Sequence, residues 1–553
     1  MAGAILENLS TKKLSVFVLC LVVVQIVCFL IGGLVAPSPT NAHHILATKC
    51  IDPSFNLKAW FQPWEPDACN KVKDFDEATR RGILADWIVF AVQVPLRPHT
   101  MDRWFQYMLG VLVMDIAYSE EEGQHLDSDA NITLVIKLGY SDSDDKQKTF
   151  TELISANETR KLDCVFPFSE EKVGYHYQCE PIPLFELGSV HHKHYLLNIR
   201  MPITRDKETG APTNINIGSP EDVHIVVIHQ NGGFTKVWIS VKTFMFPIVL
   251  LITVWFWRRV LTQGRPPVLL ERTILALAII MSILNFPLEW LTLVVEITFM
   301  TLLGDIKQGA FYAMLFSFWI IFVGEHLMDQ TQRNRLRVYW QQVCSIVFTF
   351  FCLLVFDMCD RGVQLVNPFF SLWNTDKGVN LARAFIALAG ICLCCYCLFL
   401  LFMVYQVFKN ISMRRATLPH MAKARRLHYE GLIYRFRFFM VFTVLVAVLT
   451  VITFIMSQVL EGNHKAGQRK EDVQYTSGFY TGVYGMWNIY VVAVLVLYAP
   501  SHKMKGSSSN GEGSEGSHIE FDIDTPTPGH SADPAAAGSL TEAYQLLSKT
   551  TTD

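Results

Sequence analysis

The sequence predicts a multi-pass α-helical membrane protein, with eight transmembrane helices and an antiparallel β-sandwich domain between the first and the second. Three observations carry this expectation. Of the 553 residues, 51% are hydrophobic and only 18% are charged, against about 25% charged in an ordinary soluble domain. Eight segments reach or approach the length of apolar helix needed to cross about 30 Å of hydrocarbon. A polar stretch of about 200 residues separates the first from the second, and its apolar positions alternate with period two. The 47 Lys and Arg nearly balance the 50 Asp and Glu, for a net charge of −3. That balance gives no footing for nucleic acid as a partner. The apolar excess rules out a soluble enzyme and a secreted disulfide scaffold.

The first span, residues 14–36, is free of charge and follows Lys12 and Lys13. It is longer than the roughly 7–15 apolar residues of a cleavable signal, so it is expected to stay as a signal anchor behind a short terminus, 1–13. The later spans are 243–257, 273–295, 309–324, 338–356, 384–408, 438–460 and 474–500, which together make a seven-helix bundle over 240–500. The second and fourth are short, and Lys242, Lys307 and Glu325 at their ends are expected to snorkel.

Orientation follows from the basic residues of the short loops, which are retained in the cytosol. Alternate loops hold Arg258, Arg259, Arg265 and Arg272; Arg333, Arg335 and Arg337; and Lys409, Arg414, Arg415, Lys423, Arg425, Arg426, Arg435 and Arg437. The intervening loops hold only Lys307; Arg361, Lys377 and Arg383; and Lys465, Arg469 and Lys470. Both termini are therefore expected in the cytosol and the polar block, 37–239, in the lumen. Disulfides and N-glycans form on that oxidising side. The block holds four cysteines, Cys50, Cys69, Cys164 and Cys179. Four allow three pairings, and proximity favours Cys50 with Cys69 and Cys164 with Cys179. It also holds two sequons, at Asn131 and Asn157, whereas those at Asn8 and Asn410 fall on the cytosolic side.

Within the block, strands are expected at 87–94, 109–118, 132–140, 195–201 and 224–229. Asn231-Gly232 is expected to form a tight hairpin turn between the last of these and a strand continuing to Ser240. A sandwich of about seven or eight strands results. His191, His192 and His194 lack an acidic or cysteine companion, so solvated imidazoles on a surface strand explain them better than a metal. Cys392, Cys394, Cys395 and Cys397 spread around a single helix, which favours packing over metal binding.

The bundle carries no catalytic set at depth. Its ionisable residues, Glu289, Glu296, Asp305, Glu325, His326, Asp329 and Asp357, gather near span ends. No metalloprotease, nucleophile-elbow or phosphate-loop motif is present, so an enzyme is not expected. What the bundle offers is bulk: Phe311, Leu315, Phe318 and Trp319 share one helical face of the fourth span. Pro287 is expected to kink the third span, and Gly478, Gly482 and Gly485 to thin the start of the eighth.

Two segments look like sorting signals. The basic loop before the seventh span contains Tyr429-Glu-Gly-Leu432, a form that clathrin adaptors can take up as an added strand. The tail, 501–553, is rich in Ser, Gly, Asp, Thr and Pro and is expected to be disordered. Within it, Tyr544-Gln-Leu-Leu547 repeats the tyrosine form, and Glu542-Ala-Tyr-Gln-Leu-Leu547 also matches an acidic dileucine form.

Several long runs resemble the Wntless family of Wnt ligand secretion mediators. They are Ile228-His-Gln-Asn-Gly-Gly-Phe-Thr-Lys-Val-Trp238, Arg265-Pro-Pro-Val-Leu-Leu-Glu271, Gly304-Asp-Ile-Lys-Gln-Gly309, Ser317-Phe-Trp-Ile-Ile-Phe322, Gly324-Glu-His-Leu-Met-Asp-Gln330, Phe356-Asp-Met-Cys-Asp-Arg-Gly-Val-Gln364, Arg425-Arg-Leu-His-Tyr-Glu-Gly-Leu432 and Gly485-Met-Trp-Asn488. The likeness extends to about Lys503. The tail departs from it, ending Lys549-Thr-Thr-Thr-Asp553 with no matching retrieval sequence.

The resemblance implies a luminal β-sandwich beneath which the seven-helix bundle resembles a G-protein-coupled receptor. It implies a carrier that binds acylated, palmitoleoyl-bearing Wnt proteins and escorts them through the endoplasmic reticulum and Golgi to the plasma membrane. Endocytosis by clathrin adaptors at Tyr429 and Leu432, and return through endosomes by retromer, are implied as well. No cofactor is implied. A palmitoleoyl chain has roughly 15 buriable carbons, worth on the order of 12 kcal/mol out of water, so a carrier must offer comparable apolar burial at bilayer depth, which the resemblance places in a bundle cavity among membrane lipids. Phe311, Leu315, Phe318, Trp319, Phe350, Phe351, Tyr480 and Tyr484 are the candidates to line such a cavity. The rival expectation is a signalling receptor that couples to G proteins through the basic loops.

Overall fold

The computed structural model describes residues 4–501, apart from 55–57, 65–68, 97, 120–124, 128, 144–148, 168–173, 204–212, 328–333, 371–375, 416–422 and 466–472. A short helix α1 (Ile5–Asn8) and a membrane-length helix α2 (Thr11–Leu30) lead into twelve strands. These are β1 (Thr40–Leu46), β2 (Thr48–Ile51), β3 (Lys71–Val72), β4 (Ile88–Val94), β5 (Met108–Ala117), β6 (Asn131–Ser141), β7 (Thr151–Lys161), β8 (Cys164–Val165), β9 (His176–Cys179), β10 (Ile182–Leu187), β11 (His194–Arg200) and β12 (Ser219–Gln230), with a one-and-a-half-turn helix α3 (Phe75–Arg80) after β3. One sheet has the order β1-β12-β5-β9-β8 with β10 also on β5, and the other β3-β2-β4-β11-β6-β7. Every pairing is antiparallel.

The five expected strands are all present, and the count rises to twelve among the described residues. The inward faces of both sheets share one core, with Ile225 and Leu112 from the first against Ile136, Phe90 and Leu197 from the second. Cys50–Cys69 and Cys164–Cys179 are bonded, the pairing that proximity favoured. The second bridge joins residues directly opposite each other on β8 and β9.

The expected hairpin at Asn231-Gly232 does not form. Asn231 has φ −76°, and its side chain accepts from the Gly233 N–H, so it caps a 30-residue helix, α4 (Gly232–Leu261). Asparagine suits a helix N-cap as well as a turn. Here the downstream apolar residues Phe234, Trp238 and Val241 pack at helical spacing into the bundle. The last strand thus passes into the second span with no linker, and the segment assigned to a further strand is the first turns of that span.

The remaining helices are α5 (Leu269–Asn285), α6 (Glu289–Thr292), α7 (Met300–Leu327), α8 (Trp340–Gln364), α9 (Asp376–Arg415), α10 (Lys423–Lys465) and α11 (Val473–Tyr498). With α2 and α4, they supply eight helices long and apolar enough to cross a membrane, α5 and α6 acting as one span. Pro287 separates α5 from α6, as its lack of an N–H demands. The glycines of α11 open no space. A Cβ at Gly482 would strike the Phe29 ring, and one at Gly485 would strike Cys28. They let α2 lie against α11, where Thr481 Oγ1 donates to the Cys28 carbonyl at 2.9 Å.

Candidate functional site

Helix α7 is the axis of the bundle. From Leu315 to His326 every residue is buried, so no polar face marks which side looks inward. Its neighbours divide the circumference. Toward α8 and α9, Tyr312 and Phe316 stack on Phe350 with centroids 6.1 and 5.6 Å away, and the Tyr396 ring meets Phe316 edge-on at 4.9 Å. The Tyr396 hydroxyl donates to the Phe316 carbonyl at 3.0 Å. Toward α11, Phe311 meets Trp487 at 5.3 Å, and Trp319 Nε1 donates to the Tyr490 hydroxyl at 3.0 Å. Offset and edge-on rings at such distances add about 0.5–1.5 kcal/mol per pair beyond the area they bury.

The helix across this seam is half-buried or exposed along most of its length. Along α8 only Ile346, Asp360 and Gln364 are buried. Phe348 and Phe351 point outward, 67% and 58% exposed in the absence of lipid. A membrane supplies the missing contacts on that side.

The candidate cavity residues therefore do not form one surface. Phe311, Leu315, Phe318 and Trp319 are fully buried in the bundle core, with Phe318 turned toward Phe322 and Tyr490. Phe350 lies in the α7–α8 seam. Phe351 is on the lipid face. Tyr480 and Tyr484 face α4, beside Phe234 and Trp238. Tyr312, Phe316 and Tyr396 were missed. Their only signal was aromatic density on α7 and α9, because helical spacing alone could not choose among the faces of a helix buried all round.

Polar groups close the bundle at both ends and at one point within. The Tyr484 hydroxyl donates to Asn285 Oδ1 at 2.5 Å, and Asn285 Nδ2 donates to Asn488 Oδ1 at 2.6 Å. On the sandwich side, Lys242 Nζ lies 2.5 Å and Lys307 Nζ 3.9 Å from Glu289 Oε1. The snorkelling expected of these lysines is replaced by a buried cluster, since Lys242 and Lys307 are both almost fully enclosed. At the opposite end, Leu6 is buried, the Ile5 N–H donates to the Ala499 carbonyl, and Arg435 donates to the Leu6 carbonyl. Helix α1 thus packs against α10 and α11 at that end.

The sandwich is fixed to the bundle at three places. The first is the strand–helix junction at Asn231. At the second, Arg103 donates to the carbonyls of Leu293 and Val294 at 3.0 and 2.8 Å, and Gln106 to the Thr292 hydroxyl at 2.7 Å. The third is the segment after α8. Its Phe369 enters the sandwich core and the Glu186 N–H donates to the Pro368 carbonyl, while Arg361, near the end of α8, lies 4.0 Å from the Glu186 carboxylate.

The three histidines are not solvated as expected. His194 is buried, and His192 stacks on Tyr140 at 3.7 Å while contacting Asp142 at 3.0 Å. Burial holds the His191 imidazole below its ordinary range, against the pull of the Glu296 carboxylate across the junction. Among the described residues, no group of three His, Cys, Asp or Glu is placed to hold a metal ion.

The sequons are accessible. Asn131 opens β6 and Asn157 lies mid-strand on β7, both exposed. Tyr429 and Leu432 lie within α10, so an adaptor that reads an extended strand must first unwind its initial turns. Tyr544 and Leu547 lie outside the described residues.

Comparison with known proteins accounts for the whole arrangement. Residues 48–230 match the model of the Wntless GOLD domain, and residues 231–502 match the Wntless-like transmembrane domain. The boundary falls at the Asn231 cap. The chain is 51% identical to the protein wntless homolog of Gallus gallus, over 99% of both chains. It is 50% identical to the homolog of Homo sapiens over the same shares, and 44% identical to protein wntless of Drosophila mojavensis over 91% of this chain and 90% of that one. Coverage of 99% carries the likeness past Lys503 into the tail. The chain belongs to the Wntless family.

Proposed function

We propose that this protein carries lipid-modified Wnt through the secretory pathway, sheltering the palmitoleoyl chain in the bundle while the sandwich engages the protein part. The observation that supports this reading is the ring-lined seam formed by Tyr312, Phe316, Phe350 and Tyr396 between α7 and its neighbours α8 and α9. An acyl chain arriving from the bilayer meets rings on both sides there, with the Tyr396 hydroxyl kept paired to the Phe316 carbonyl. Roughly 15 carbons at about 0.8 kcal/mol each set the scale of burial to be matched. Phe369, which follows α8 into the sandwich core, ties the sandwich to one helix of the seam. Luminal placement of the sandwich, with both termini cytosolic, follows from the loop charges and is supported by the two disulfides.

On this reading the protein is a carrier and not an enzyme. It moves among endoplasmic reticulum, Golgi, plasma membrane and endosomes, with clathrin adaptors and retromer as cytosolic partners and bilayer lipids around the seam. The G-protein reading is disfavoured by Leu6, which is buried against the bundle at the end that the loop charges assign to the cytosol, with its carbonyl held by Arg435. The test is co-purification of the full chain with Wnt from secretory cells. Acylated Wnt should be retained, and Wnt whose acylated serine is replaced should be lost. Equal retention of both would overturn the carrier mechanism.

A further inference from the structure

The outer face of the second sheet holds a cavity of about 290 Å³ away from the bundle. Its floor is apolar, made by Val89, Val135, Ala59 and Phe61. The segment carrying Phe61 is fixed over the sheet, because Asn198 donates to the Phe61 carbonyl and accepts from its N–H, each at 3.0 Å. The charges in and around the walls cancel in pairs: Arg200 with Asp52 at 2.5 Å, and Lys137 with Glu152 at 3.5 Å. An anion or an acidic peptide finds no excess charge here. A neutral ligand with an apolar face and a hydroxyl or amide edge does fit, and the volume lies at the small end of ligand pockets, about 300 Å³.

Asn157 is itself one of the lining residues. It stands opposite Val135 in the β6–β7 register, beside Ser155, on the face away from the sandwich core. It opens the sequon Asn157-Glu-Thr159. We propose that the cavity is the seat of the first N-acetylglucosamine of a glycan attached to Asn157, with the sugar ring on Val135 and its acetamido and hydroxyl groups along the polar wall. A sugar tethered at the rim meets the groove at high effective concentration without any external affinity. The glycan then acts as a structural cover for β7, an edge strand paired only with β6. This inference rests on the luminal reading of the sandwich.

The test uses full-length protein from a glycosylating host, with site occupancy read by mass spectrometry of the glycopeptides. Three forms are then melted: intact, trimmed enzymatically to a single N-acetylglucosamine, and fully stripped. The single-sugar form should melt with the intact one, and the stripped form about 2–4 °C lower. The variant Asn157→Gln should match the stripped form. Ser155→Trp, which fills the groove but keeps the sequon, should abolish the difference between single-sugar and stripped protein. A bare Asn157 beside a glycosylated Asn131 overturns the proposal and leaves the luminal reading standing. If both asparagines are bare, the luminal reading falls too. A glycan whose complete removal leaves the melting temperature unchanged also overturns the proposal.

Discussion

The Arg160 guanidinium on β7 donates to the carbonyl oxygen of Phe369 at 2.6 Å, although 209 residues separate them in sequence. Phe369 belongs to the segment leaving α8, yet its ring is 1% exposed within the sandwich core. A membrane helix with few fully buried side chains is therefore fastened at one end to the extramembrane domain. Phe369→Ala should remove a core side chain at a cost of about 3–5 kcal/mol. Hydrogen exchange should show the backbone around Pro368 and β10 losing protection, with α4 and β12 unchanged. Uniform loss across the sandwich would mean that Phe369 is ordinary core and not a tie.

The cluster of Lys242, Glu289 and Lys307 is two cations sharing one carboxylate away from water. Removing the shared partner strands both lysines, and breaking a buried pair in this way costs about 3–5 kcal/mol. Among the described residues Lys307 Nζ has only the long contact to Glu289, so its deletion leaves the Lys242 pair intact. Glu289→Gln should lower the melting temperature in detergent sharply, and Lys307→Met should leave it equal or higher. Equal losses from both variants would show that Lys307 is stabilising and not a tolerated excess.

His229 sits at the foot of the sandwich, 4% exposed, stacked on His43 at 5.2 Å and met edge-on by Phe105 at 5.1 Å. Burial, with His43 beside it, keeps its imidazole below the ordinary range. The unfolded chain, titrating near ~6.5, then binds a proton that the folded chain refuses. Stability from this residue is complete above that value and is lost as pH falls toward the lower native one. Melting temperatures at pH 7.5 and 5.5 should differ more for the native protein than for His229→Gln. Identical pH slopes would remove His229 as a source of acid sensitivity.

The spans were legible because long apolar runs have one physical use in a chain of this composition. Their ends were less so. Asn231-Gly232 serves a hairpin turn and a helix cap equally well, and only the packing of Phe234 and Trp238 against α11 decides for the cap. Strand β1 carries the polar run Thr-Asn-Ala-His-His, and its place comes from pairing along β12 and not from its own pattern. Strand β7 is mostly exposed, so its sequence lacks the alternation that marked β6. The glycines of α11 were visible as missing side chains, but what fills the gap, Phe29 and Cys28 of α2, is hundreds of residues away.

The same limit decides the ring-lined seam. Phe350 and Phe351 are neighbours of one residue type, and no sequence rule ranks them; the structure turns Phe350 onto Tyr312 and Phe316 and Phe351 out toward lipid. Burying a phenylalanine surface against an acyl chain is worth about 1.5–3 kcal/mol, and every 1.4 kcal/mol is tenfold in affinity. Phe350→Ala and Phe316→Ala should therefore each cut recovery of acylated Wnt by about tenfold. Phe351→Ala should leave it unchanged, because lipid replaces the lost ring. Melting temperatures of all three separate a binding defect from a folding one. If Phe351→Ala loses as much cargo as Phe350→Ala while both remain folded, the acyl chain lies outside the seam, along the lipid face of α8.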